Sequence, residues 1–181
     1  MPCPLVAIIG GHSRNTSSQA EAFATEFGEA LARAGYGIVC GGADGIMEAA
    51  CRGQKRAGGL TVGVLKSNAQ SEANGFIDVA VCTSMDVASN NIIIWSACAV
   101  VAFEGRYGTL NEVALALDFG KPLLMVGPSS LLQTSNVNSP LFRHFQSYES
   151  ATIPALLEAM QSMIASVTHP RPAGGLATEK A

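Results

Sequence analysis

Charge is scarce in this chain. Asp, Glu, Lys and Arg make up 14% of its 181 residues, and the formal net charge is −3. Its cations are scattered, so electrostatic capture of nucleic acid or of an anionic membrane is excluded as the basis of function. Any anion must be held by local geometry. No CxxC pair occurs among the cysteines at 3, 40, 51, 82 and 98. Cys40, Cys82 and Cys98 lie in apolar strand-like runs and read as buried free thiols, and no spacing makes Cys3 or Cys51 a ligand or redox centre. His12, His144 and His169 are far apart, and no metal site is expected. The opening MPCPLVAIIGG has no basic start, and glycines break its short apolar run. It predicts neither a signal peptide nor a membrane span, so a cytoplasmic protein is expected. Also missing are a GxGxxG after the first strand, a GxxxxGK[ST] and a GxSxG. Their absence excludes the dinucleotide fingerprint, the P-loop and the nucleophile elbow.

What is present is an apolar chain, 48% hydrophobic, of a length that suits one domain. Residues 1–167 are expected to form it, and the Pro/Gly-rich stretch 168–181 to be a flexible tail. Short apolar runs at 5–11, 36–42, 60–65, 76–82, 98–103 and 122–127 predict strands. Helices are expected over 17–35, 45–59, 84–97, from about Thr109, and over 150–167, with 66–75 a polar loop and 128–140 a surface connection. Trp95, Met47 and Met85 read as core residues. Alternation of continuous apolar strands with helices implies an α/β fold: a Rossmann-like three-layer α/β/α arrangement on a mainly parallel sheet of about six or seven strands.

Glycines follow three strands directly, at Gly10-Gly11, Gly41-Gly42 and Gly105. In a parallel sheet the strand C-termini share one edge, and ligands of open α/β sheets bind there. The segment EGRYGTLNE, Glu104–Glu112, ends a strand and opens a helix. Unpaired backbone N–H groups at such a start carry the positive end of the helix dipole, and glycines allow close approach, which makes a phosphate cradle. Thr109 caps the helix or donates its hydroxyl to a phosphate oxygen. Glu112, on the same face, points to the cradle or closes a capping box with Thr109. Asp44 reads as the cap of the helix from Gly45. His12, Ser13 and Thr16 offer donors at the same edge, while Arg14 reads as part of an ordinary polar loop.

These residues resemble the LOG-like group of Rossmann-type proteins, long labelled lysine decarboxylase-like. Its cytokinin-activating members carry Pro-Gly-Gly-x-Gly-Thr-x-x-Glu after a strand. Gly105, Gly108, Thr109 and Glu112 match, whereas Glu104 stands for the proline and Arg106 for the second glycine. CGGADGIMEAACRGQKRAGG, 40–59, resembles a second segment of the group. Within it the chain is similar to molybdenum cofactor carrier proteins, through GIMEAA, AGGLTVGVL and EVALALDFGKPLL. The hydrolases of the group place an Arg-Lys pair on a helix ahead of the strand; counted without gaps, these positions are Ser89 and Asn90 here.

The resemblance implies a site built from Gly11, His12 and Ser13, from Gly41, Gly42, Asp44, Gly45 and Met47, and from Gly105, Arg106, Tyr107, Gly108, Thr109 and Glu112. It implies binding, protection and transfer of molybdenum cofactor, a phosphorylated pterin, with a molybdoenzyme as acceptor and a dimeric or tetrameric homo-oligomer. One alternative is a nucleoside 5′-monophosphate phosphoribohydrolase, in which Glu112 is catalytic and stabilises positive charge on the ribose. Ser89 argues against an efficient one, unless Arg106 replaces the lost charge. The other is an inactive nucleotide-binding sensor. No metal ligand, nucleic acid or membrane partner is expected.

Overall fold

Consecutive apolar residues ending in glycine form most of the sheet in the computed structural model, which describes residues 3–128 and 137–168. The strands are β1 Leu5–Ile9, β2 Gly37–Cys40, β3 Thr61–Leu65, β4 Val79–Cys82, β5 Ala99–Ala102, β6 Leu123–Val126 and β7 Phe142–Phe145. The helices are α1 Ser18–Arg33, α2 Ile46–Arg56, α3 Ser89–Ser96, α4 Tyr107–Asp118 and α5 Ile153–Thr168. Every strand pairing is parallel, in the order β4-β3-β2-β1-β5-β6-β7.

Successive strand side chains point to opposite faces, so the apolar runs feed two cores. Val6, Ile8, Ile38, Val101 and Leu124 face α1, α2 and α5, where Phe23, Phe27, Ile46, Leu156 and Met160 meet them. Ala7, Ile9, Val39, Val100 and Leu123 face α3 and α4, where they meet Ile93, Ile94, Val113 and Ala116. Burial of each large side chain contributes about 1.5–3 kcal/mol. The architecture is the three-layer α/β/α fold that the sequence predicts, with seven strands. Among the described residues no helix is long and apolar enough to cross a membrane.

Several local expectations are corrected. β7 is absent from the sequence reading because its Phe-Arg-His-Phe lies at a sheet edge, where Arg143 is exposed and no continuous apolar run is needed. α3 is shorter than expected. Asn90, Ile93, Ile94 and Ala97 form its buried face, which turns Trp95 outward, 59% exposed, to stack on Phe119 at 4.5 Å. Met85 is exposed as well, in the loop before α3. Cys40 is buried, but Cys82 and Cys98 are only partly so; all are free. Part of the 128–140 connection and residues 169–181 of the expected tail lie outside the described residues, and α5 runs on to Thr168.

α1 and α2 pack more closely than side chains would allow. A Cβ on Gly53 would lie 1.8 Å from the Thr25 carbonyl oxygen, and one on Gly28 2.1 Å from that of Ala50. Gly53→Ala should therefore lower stability by about 1–3 kcal/mol in urea unfolding, although alanine is intrinsically the better helix former by about 1 kcal/mol. An unchanged unfolding midpoint would show that the two helices can separate without loss.

Candidate functional site

The strand order reverses direction between β1 and β5, which are neighbours in the sheet although far apart in sequence. That is the switch point at which the loops leaving the two strands diverge and open a crevice. Gly11 follows β1 and donates its N–H to the Glu104 carbonyl after β5, at 2.9 Å. The Glu104 carboxylate reaches further and accepts the N–H of Ser17, ahead of α1. Tyr148 lies beside it, its hydroxyl pushed up to about 12 by burial and by the Glu104 charge. Glu104, which stands where the LOG-like motif has proline, thus joins the first and third glycine segments.

The second segment is set by Gly45. Its φ is 71°, in the region that favours glycine, and a Cβ there would come 2.5 Å from the Gly11 carbonyl oxygen. Gly45 is itself the residue at the start of α2, so Asp44 is not the cap that its position implies. The Asp44 carboxylate instead pairs with His12 Nδ1 across the two loops. Burial alone would raise the Asp44 pKa; hydrogen bonds and charge from His12, with bonds from Ser13, outweigh it and hold the carboxyl below its ordinary range.

A cavity of about 260 Å³ lies over this edge. Of the residues expected in the site, it brings together Gly11, His12, Gly41, Met47, Arg106, Gly108, Thr109 and Glu112. Ser13, Gly42, Asp44, Gly45, Gly105 and Tyr107 do not line it. Met47 is therefore a core residue with one side on the cavity. Residues outside the expected set also line the walls: Gly10, Asn15, Ala43, Leu65, Lys66, Glu72 and Asn90. Lys66 and Glu72 come from the polar loop after β3. Asn74 pins that loop through bonds to the carbonyls of Gly42 at 3.1 Å and Ala43 at 2.9 Å. Only the cluster of polar residues after a strand end pointed there, and it names no single residue.

α4 starts earlier than expected, at Tyr107 with Arg106 preceding it, and no side chain caps its first turn. Thr109 is inside the helix and buried, so the capping box with Glu112 does not form. The first-turn N–H groups are left to whatever occupies the cavity. At Gly108 a Cβ would meet nothing within 4 Å, and φ is not positive there. Neither packing nor conformation asks for glycine; open space above the backbone is what it provides.

On α3, Ser89 is fully buried and donates to the Asp86 carbonyl at 2.6 Å, outside the cavity lining. Asn90 does line it, with Nδ2 bonded to Asn111 Oδ1 at 2.9 Å. α3 contains no arginine, and the guanidinium lining the cavity is that of Arg106. Among the described residues no three His, Cys, Asp or Glu side chains are placed to hold a metal ion.

These loops and helices lie within residues 4–156, the span that matches the SLOG cluster4 family. The chain belongs to that family. Its solved relatives include the molybdenum cofactor binding protein of Rippkaea orientalis, 30% identical with a TM-score of 0.78 over 93% of this chain and 99% of the other. The molybdenum cofactor carrier protein of Chlamydomonas reinhardtii is 28% identical, with a TM-score of 0.78 over 90% of this chain and 99% of its own. An uncharacterised protein of Archaeoglobus fulgidus is 36% identical over 110 residues, 61% of this chain and 72% of that one.

In this SLOG cluster4 chain the cavity is divided by charge type. The α4 start and Arg106 offer donors and positive charge; Glu112, one turn on, is a half-buried carboxylate whose pKa burial pushes up to about 7, with Lys66 pulling it partly back. A carboxyl raised in the folded state favours folding below its ordinary pKa and loses that contribution as pH rises to about 7. Glu112→Gln should match wild type near pH 4.5 and exceed it by up to about 3 kcal/mol at pH 8, read by urea unfolding across that range. Parallel pH profiles would show that Glu112 titrates normally.

Proposed function

We propose that the protein binds molybdenum cofactor, protects it and passes it to a molybdoenzyme, with the cofactor as cargo rather than as a resident group. The observation that carries this is the uncapped start of α4 at an open glycine, Gly108, with Arg106 beside it on a cavity at the switch point. A terminal phosphate monoester fits such a start, because unpaired N–H groups and the helix dipole both favour it. The similarity to cofactor-binding and carrier proteins along nearly their whole length supports the pterin as the rest of the ligand.

In this reading the phosphate lies over Gly108 and Thr109, with Gly105 bringing the loop close to Gly11. Gly41 and Met47 form the opposite wall. His12, held by Asp44, stands at the rim with Ser13, Gly42 and Gly45 behind it, and Tyr107 faces solvent. Ser89 supports carrier over phosphoribohydrolase. An arginine fixed against Glu112 is worth about 3 kcal/mol in such chemistry, and Ser89 cannot reach the cavity to replace it. A homo-oligomer through the outer helices belongs to the same reading: Ala114 points outward from α4, while Ala116 is committed to the core.

Purified protein should lengthen the lifetime of free molybdenum cofactor, scored by reconstitution of an apo-molybdoenzyme. Gly108→Ala should leave stability unchanged or raise it by up to about 1 kcal/mol, yet shorten the protected lifetime, because the added methyl enters the ligand's space. Arg106→Ala should weaken retention by about tenfold. Release of free base from nucleoside monophosphates, lost in Glu112→Gln, would replace this reading with the hydrolase.

A further inference from the structure

One carboxylate on the cavity wall has no partner among the described residues. Among the described residues the Glu112 carboxylate forms no hydrogen bond or ion pair with protein, although it is half-buried on the cavity wall. Partial burial penalises its charge, Lys66 offsets this only in part, and hydrogen-bond donors from a ligand would offset the rest. Asn90 is 2% exposed on the same wall, and its amide nitrogen is committed to Asn111 Oδ1 at 2.9 Å. What Asn90 has left is its carbonyl oxygen and the second N–H of its amide. Both groups accept hydrogen bonds, and Glu112 is an acceptor only when it is ionised.

The helix fixes the distance from this carboxylate to the cradle. Four residues separate Gly108 from Glu112, about 6 Å of rise. A second anionic group against ionised Glu112 would be repelled, which favours a ligand that is anionic at one end and carries N–H donors at the other.

We infer that Glu112, on a wall it shares with Asn90, reads the 2-amino and adjacent ring N–H of a 2-amino-4-oxo heterocycle, whose phosphate sits one helical turn away at the start of α4. The inference rests on the phosphorylated-pterin reading above and adds which edge of the ring is recognised and by which side chains. Two parallel N–H donors match a carboxylate, and the pair is strengthened by its charge. A 2-oxo ring presents an oxygen to the same carboxylate and leaves it unsatisfied, the situation in which a hydrogen-bonding site discriminates most strongly. Burial holds Glu112 near pKa 7 in the free protein, so the ligand's donors also determine which form of the carboxyl is present. The other charged or titratable side chains around the cavity are His12, Lys66, Glu72 and Arg106.

The test is fluorescence titration of the full chain with 6-hydroxymethylpterin monophosphate and with 6-hydroxymethyllumazine monophosphate, which differ at position 2, and competition by inorganic phosphate. Wild type should prefer the pterin by about tenfold or more. Glu112→Gln should reduce the preference to about threefold or less and leave competition by inorganic phosphate unchanged; Glu112→Ala serves if the glutamine variant is not recovered folded. Equal binding of both phosphates by wild type overturns the inference and leaves the phosphorylated-ligand reading standing. A preference that survives in both variants also overturns it, since another group would be the reader. Binding of inorganic phosphate, read by calorimetry, without binding of either pteridine overturns the inference and the pterin reading together.

Discussion

The site depends on one backbone hydrogen bond, from the Gly11 N–H to the Glu104 carbonyl at 2.9 Å. It continues the β1–β5 pairing one step beyond the strands and joins two chain segments more than ninety residues apart at the point where the sheet order reverses. From there the β1 loop turns toward α1 and α2, and the β5 loop turns into α4. Their divergence is the cavity. Glu104 reinforces the junction through its side chain, so the position where the LOG-like motif has a rigid proline here carries a bridging carboxylate.

Built on that junction, the cavity combines two opposed electrostatic environments within one turn of one helix. The start of α4 is electropositive because its N–H groups have no cap. One turn on, Glu112 is a carboxylate that burial disfavours. Ser89 sharpens the contrast by leaving α3 without a cation near Glu112.

Much of this is readable in the residues, for physical reasons. Strands buried on both faces require continuous apolar sequence, and glycines near their ends mark the edge where backbones crowd; five of the strands and the cradle segment follow from that, while β4, an edge strand with Val79 and Val81 exposed, is legible from its apolar run. β7 does not follow, because an edge strand needs apolar residues on only part of its surface. Asp44 looks like a helix cap until the fold brings His12 within reach, and Thr109 like another until α4 starts two residues before it. Lys66, Glu72 and Asn90 reach the cavity through strand order and a loop pinned by Asn74, neither of which leaves a local pattern. Trp95 misleads because its size suggests the core, while the register of Asn90, Ile93 and Ile94 turns it to solvent.

The glycine contact between α1 and α2 has a mechanical meaning for the cavity. With carbonyl groups seated directly against Gly28 and Gly53, the two helices are in backbone contact, and Ile46 at the head of α2 lies over Gly10. Separating α1 from α2 would break these contacts, so this wall of the cavity is closely braced. The opposite wall rests on side-chain packing of α3 and α4 and on the loop that Asn74 pins. The two sides of the cavity are thus built differently, one with backbone seated on backbone and the other with side chains between the elements.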